Sequence, residues 1–380
     1  MIDSYVGALF ALAAIVLVAI QLEARFRFFR SLGAALVGIL LAMLLSNLGI
    51  LAGTSPAYDF LSGPVVSAGI VLILLSVDLR TVIEAGPRML AAFTVGAVGT
   101  VAGAIVAGLL LADAIGPETW KLAGQYTATY TGGGANFAAV GAALETSGDL
   151  FTAGIAADVI VTAIWMATCL AVPAFWPGRA AAAPASTAKP SDDGAHGLDR
   201  QLYRTIGTVS LTDVAGLLVI VLGTLLCASW LAARTPLPAV LWLTTMALLL
   251  AQFRQIRELR GAAVFGNFLV LWFLASNGAS SVIANIVAVG PPIFYFALLT
   301  VGIHGVIIFV GGRLVGLDLR TLAIASQANI GGPASAMALA SARGYTDRLL
   351  PGVAAGLLGY AVGNYLGFAV AGLVRGMISA

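Results

Sequence analysis

Residues Thr131 to Asn136 read TGGGAN and residues Asn329 to Ser335 read NIGGPAS, and these two glycine-centred stretches align with one another. Setting Gly133 on Gly331 gives an offset of 198 positions. At that ungapped offset Asp149 falls on Asp347, Gly154 on Gly352 and Ala156-Ala157 on Ala354-Ala355. The chain therefore reads as a duplicated unit. Both stretches interrupt apolar, helix-length sequence with backbone that a bilayer cannot leave unpaired, so this irregular backbone has to face protein or a watery cavity. Two broken, repeat-related segments are the best sequence pointer to a transporter's binding site.

Composition points to the same class. Of 380 residues 60% are hydrophobic and only 9% charged, and the mean hydropathy is +1.01. Apolar runs of about 20 residues recur along the whole length, as expected of an all-α polytopic membrane protein. Glycine is abundant, at 45 residues, as where membrane helices approach closely or are broken. A net charge of +2 gives no global field to attract nucleic acid. Cys169 and Cys227 lie inside apolar stretches and read as packing residues. The start, MIDSYVGALF, lacks a basic leader region and a small-residue cleavage site, so its apolar run reads as a retained span.

Hydropathy marks six segments in each half: about 5–22, 32–51, 57–77, 89–112, 120–144 and 150–176, then about 213–232, 236–252, 262–289, 293–315, 320–342 and 349–375. The first half, 1–176, and the second, 213–380, are separated by 177–212, an Ala/Pro/Ser-rich linker. Loop charges set the topology. With the N-terminus outside, the loops holding Arg25, Arg27 and Arg30, and then Arg80 and Arg88, are cytoplasmic. Only if 120–144 dips in and returns does the linker, with Arg179, Lys189, Arg200 and Arg204, also fall inside. A re-entrant 320–342 likewise keeps Arg343 and Arg348 inside. Each half then has five crossings plus one glycine-rich re-entrant hairpin, and the odd count makes the halves inverted repeats. The competing reading of each glycine segment is a broken crossing helix. Both place a multi-pass protein in the plasma (inner) membrane, here with N- and C-termini outside.

The first glycine turn carries Tyr130, Thr131 and Asn136 around Gly132, Gly133 and Gly134. The second carries Gln327, Asn329 and Ser335 around Gly331 and Gly332. Glycines let backbone amides approach a ligand, and the half-helix after each turn points its N-terminal dipole at the cavity. That suits a carboxylate or another small anion, and these residues form the candidate substrate site. Asp158 sits inside a crossing segment, where an acid costs roughly 2.5–3.5 kcal/mol. Its equivalent at offset 198 is Gly356, so the duplication is broken there. Asp158 reads as the coupling carboxylate, binding Na⁺ with Thr162, Thr131 and Asn136, or taking up a proton. Asp149 and Asp347 read as helix N-caps, and His304 as a hydrogen-bonded packing residue. No metal-ligand cluster, nucleophile elbow or phosphate loop is present, and the chain reads as a non-enzyme without a cofactor beyond a possible Na⁺. His304 with Ser280 is the single pair to set against that.

At TGGGAN, ANIGGPA, the GPR step at Gly86 to Arg88 and the GPP step at Gly290 to Pro292, the chain resembles the YjcL-like membrane family of bacterial and plastid proteins. More distantly it is similar to inverted-repeat elevator transporters, the glutamate/sodium, citrate/sodium and sodium/bile-acid carriers. That resemblance implies a scaffold domain (1–77 and 213–289), a moving transport domain (89–176 and 293–380), sodium or proton coupling, and a homodimer. The reading is a secondary transporter moving a small organic anion across the lipid bilayer, coupled to Na⁺ or H⁺. The rivals are a monovalent cation/proton antiporter, a channel and an intramembrane enzyme.

Overall fold

The computed structural model describes residues 2–83, 85–175 and 208–378, so most of the expected linker lies outside the described residues. Apart from one isolated bridge between Ile2 and Leu51, the described residues contain helices and turns and no strand. The principal helices of the first half are α1 (Tyr5–Arg25), α2 (Arg27–Asn47), α3 (Pro56–Leu74), α4 (Gly86–Leu110), α5 (Thr119–Gly132), α6 (Gly134–Ala143) and α7 (Gly148–Phe175). Those of the second are α8 (Leu211–Ala232), α9 (Ala239–Leu250), α10 (Ala262–Ala279), α11 (Ile283–Val306), α12 (Leu319–Ala342) and α13 (Thr346–Ile378).

Eight of the described helices are long and apolar enough to cross a membrane: α1, α3, α4, α7, α8, α10, α11 with the turns that follow it, and α13. Two shorter apolar helices, Leu32–Asn47 and α9, bring the apolar set to ten. Helix starts follow local chemistry. Ser4 caps α1, its hydroxyl accepting from Gly7 N–H at 3.2 Å, and Ser210 with Asp213 forms a reciprocal capping box on α8. Pro64 sits inside α3, where the backbone widens into a π turn over Leu61–Val65.

One boundary differs from the hydropathy reading. The expected ninth segment runs to 289, but the chain breaks at Ser280 to Val282, and Pro291 and Pro292 lie inside α11. The reason is capping from afar. Asp149 accepts from Val282 N–H at 2.7 Å and Asn285 Nδ2 at 2.7 Å, and Asn47 Oδ1 accepts from Ile283 N–H at 3.2 Å. Asp149 thus caps α11, not the helix it begins.

The helices sort into two sets by packing. In one, α1 packs on α2, α10 on α2 and α3, and α9 on α8 and α3. In the other, α4 packs on α11, α12, α5 and α13, α7 on α11 and α12, and α13 on α5 and α12. Backbones approach closely through glycine. A Cβ on Gly69 would lie 3.0 Å from Gly266 O, and one on Gly266 2.9 Å from Gly69 O, so α3 and α10 touch main chain to main chain. On α13, a Cβ at Gly363 would lie 2.9 Å from Ala128 O and one at Gly367 2.8 Å from Gly124 O. A column of aromatic rings, Phe296–Tyr126–Phe137–Phe151–Phe273, with centroids 5.2 to 5.7 Å apart, joins α11, α5, α6, α7 and α10.

Candidate functional site

Each glycine stretch is the tip of a helical hairpin. At the base of the first, Lys121 Nζ donates to Glu145 O at 2.8 Å, and Glu118 accepts from Lys121 at 2.9 Å and from Ser147 N–H at 3.0 Å. Thr146 donates to Gln125 Oε1 at 3.0 Å. The start of α5 and the end of α6 therefore lie side by side. At the base of the second, Arg348 pairs with Asp318 at 3.7 Å and donates to Thr321 Oγ1 at 3.1 Å, and the Arg320 guanidinium lies over the Tyr345 ring, 5.2 Å from its centroid. Again entry and exit adjoin. Burial pushes the Asp318 carboxyl up, but hydrogen bonds from Thr321 and the Arg348 charge outweigh it and hold it below its usual range.

The turns fall at Gly133 (φ 97) and Gly332 (φ 73), both in the left-handed region that favours glycine. These residues stand 199 positions apart, one more than the offset of the ungapped alignment. In this register Gly132 matches Gly331 and Asn136 matches Ser335. Pro333 opens the second arm of α12, where its missing N–H costs nothing. The two tips meet: a Cβ on Gly133 would lie 4.0 Å from Gly332 Cα, and Tyr360 of α13 covers both, at 3.3 Å and 3.5 Å from the corresponding Cβ positions.

Asp158 of α7 accepts from Thr162 Oγ1 at 3.3 Å. The Thr129 and Tyr130 hydroxyls complete no hydrogen bond of good geometry, yet both lie close enough to Asp158 to interact with its carboxylate. Tyr126 stacks on Tyr130 at 5.5 Å and donates to Gly154 O at 3.1 Å, one helical turn before Asp158. The donor set around Asp158 is one carboxylate plus neutral hydroxyls, which suits a monovalent cation or a proton. Among the described residues no group of three or more His, Cys, Asp or Glu side chains gathers to hold a metal ion. Of the other expected cation ligands, Thr131 is buried with its hydroxyl unpartnered. Asn136 turns to α13, donating to Tyr360 O at 3.1 Å and Asn364 Oδ1 at 2.9 Å, and Asn364 passes the chain to Thr244 Oγ1 at 2.9 Å.

In the second hairpin Gln327 is fully buried with neither end of its amide partnered. A Cβ on Gly331 would lie 2.7 Å from Gln327 Nε2 and against Ser335 Oγ, so both side chains converge on that glycine. Asn329 donates to Phe93 O at 3.1 Å and Ala325 O at 3.0 Å, leaving its Oδ1 unpartnered. Most of the buried side-chain atoms without partners among the described residues belong to α5 and the first arm of α12. Buried polar groups are ordinarily paired, so this concentration sets the two hairpins apart from the rest of the described residues.

Between the hairpins lies a polar hub centred on His304, which the sequence read as a hydrogen-bonded packing residue. His304 Nδ1 lies 2.8 Å from Gly96 O and 3.0 Å from Thr100 Oγ1, and Nε2 lies 2.9 Å from Ser326 Oγ. A carbonyl only accepts, so Nδ1 carries the proton and Nε2 accepts from Ser326. Ser326 in turn accepts from Trp165 Nε1 at 2.9 Å, and Thr100 donates to Tyr130 O at 2.9 Å. The hub thus ties α4, α7, α11 and both hairpins. Ser280, the partner considered for His304, donates instead to Ser276 O at 3.1 Å. Missed entirely were Thr129, Tyr360, Asn364 and Ser326. Asn364 alone carried a signal, a polar residue between glycines in an apolar run.

The class defined here is an all-α polytopic membrane protein whose two glycine-broken helical hairpins meet tip to tip beside a membrane-embedded carboxylate. A family model described as "Protein of unknown function (DUF819)" matches residues 7–377, and the chain belongs to that family. It is similar to the "Uncharacterized membrane protein YjcL" of Bacillus subtilis (strain 168), at 30% identity over 365 residues that cover 92% of each chain. The resemblance drawn from the glycine turns is borne out.

Proposed function

We propose that this protein is a secondary active transporter that carries a small organic anion across the membrane by elevator-type alternating access, coupled to Na⁺ or H⁺ at Asp158. One observation carries the reading: the two hairpin tips meet at Gly133 and Gly332, and the arms leading to them hold the buried, unpartnered Thr131 hydroxyl and unpartnered amide atoms of Gln327 and Asn329. The sorting of helices into two packed sets supports a scaffold formed by α1–α3 and α8–α10 and a moving body formed by α4–α7 and α11–α13. The adjoining hairpin bases support re-entry, hence ten crossings, inverted halves, a cytoplasmic linker and external termini. The organic anion binds between the tips, and Asp158 with Thr129, Tyr130 and Thr162 takes the cation. A homodimer through the scaffold and residence in the inner membrane complete the proposal.

The test is thermal stability of the purified protein across Na⁺ concentration and pH, wild type against Asp158→Asn. A ligand bound only by the native state adds about 2.7 kcal/mol at one hundred times its Kd. A Na⁺- or pH-dependent rise, absent in Asp158→Asn, is expected. No rise with either refutes the coupling site. The second reading, a monovalent cation/proton antiporter, draws on the absence of lysine and arginine from the buried described residues. It calls for cation flux in vesicles with no organic solute present.

A further inference from the structure

The second hairpin differs from the first in what its polar groups touch. In the first, Asn136 is taken up by Tyr360 and Asn364 of α13. In the second, the matching Ser335 is partly open and Gln327, four residues before Gly331 on the same face, has no partner at either amide end. Whichever way that amide is turned, it presents one acceptor and one donor side by side. Asp158, the acid beside the tips, is an acceptor too, and none of the buried described residues is a lysine or arginine.

A plain carboxylate offers acceptors only. It could take the Gln327 N–H and the Ser335 hydroxyl, but it would leave Gln327 Oε1 buried and unpaired, at the cost of an unmade hydrogen bond. A site built with acceptors discriminates strongly against a ligand that lacks the matching donor. We infer that the Gln327–Gly331–Ser335 face is the recognition subsite for the organic substrate and that this substrate is a small carboxylate bearing its own donor, a hydroxyl or ammonium, beside the carboxyl group. The carboxylate accepts from Gln327 Nε2 and Ser335 Oγ, and the neighbouring donor pairs with Gln327 Oε1. This rests on the organic-anion reading above and narrows it.

The experiment is calorimetric binding to the purified full chain in Na⁺, using two matched sets: propionate, lactate and alanine, then succinate, malate and aspartate. In at least one set the donor-bearing members bind about tenfold or more tightly than the plain carboxylate, and the hydroxyl and ammonium arms separate the two kinds of donor. Gln327→Leu brings the ratio close to one while stabilisation by Na⁺ persists, which shows that the fold and the Asp158 region are intact. The wild-type comparison stands by itself if that variant does not fold. Equal affinity within both sets overturns the inference, as does a ratio unchanged in Gln327→Leu. Binding that ignores the substituent sinks this inference alone. No binding of any carboxylate, with no response to Na⁺ or pH, sinks the transporter reading with it.

Discussion

Replacing Ser326 by alanine removes one oxygen that serves two helices. Its hydroxyl accepts from Trp165 Nε1 at 2.9 Å and donates to His304 Nε2 at 2.9 Å, and Ser326, Trp165 and His304 are all buried. Without it one N–H and one ring nitrogen stay unpaired. In a soluble core each would cost about 1–3 kcal/mol, but in membrane bundles interhelical hydrogen bonds average about 0.6 kcal/mol and reach about 1.7 kcal/mol, because the unfolded chain also finds partners. Two such bonds give an expected loss of about 1–3 kcal/mol for Ser326→Ala, measured by reversible unfolding in detergent. Ser341→Ala, exposed near the end of α12, should stay within about 0.5 kcal/mol. A double-mutant cycle with Trp165→Phe should return a coupling near one bond. Histidine NMR adds a direct check, since the chain has two histidines: with His196 replaced, the remaining ring should show the proton on Nδ1. A loss below about 0.5 kcal/mol with no coupling, or a proton on Nε2, would refute the donor and acceptor order assigned to the hub.

Two further outcomes follow from the hairpin bases. Burial raises the Glu118 carboxyl, but the Ser147 N–H and the Lys121 ammonium outweigh it and hold it below its ordinary value of 4.5. Its contribution is therefore present above that value and disappears as the pH falls through the lower folded one, and Glu118→Gln should flatten the stability–pH curve in that acid window by no more than about 1 kcal/mol. An unchanged curve would show the pair to be energetically idle. Single cysteines placed at Gly148 and Ala342 should label from opposite faces of the membrane, Gly148 from outside and Ala342 from inside. Labelling of both from one face would exclude the inverted arrangement.

The sequence by itself determined the membrane class, because apolar runs of bilayer length have few other uses. It also located both turns, since glycine at positive φ is what a broken intramembrane helix needs, and it singled out Asp158 because an acid in an apolar segment is costly. It identified the family through those same residues. Only the tertiary structure decided what depends on contacts between distant segments. The ends of each hairpin are joined by Glu118, Lys121 and Ser147 in one and by Asp318, Thr321 and Arg348 in the other, contacts that no local pattern reports. Backbone angles place the two positive-φ turns at Gly133 and Gly332, 199 positions apart where the ungapped alignment has an offset of 198. The α10–α11 break is set by Asp149 and Asn47, far away in the chain. Asn136 pairs with Asn364, and Gln327 converges on Gly331 with its amide unpartnered. Periodicity and residue type report what a segment can bury, whereas a polar side chain's partner is chosen by the neighbour that packing brings within about 3 Å.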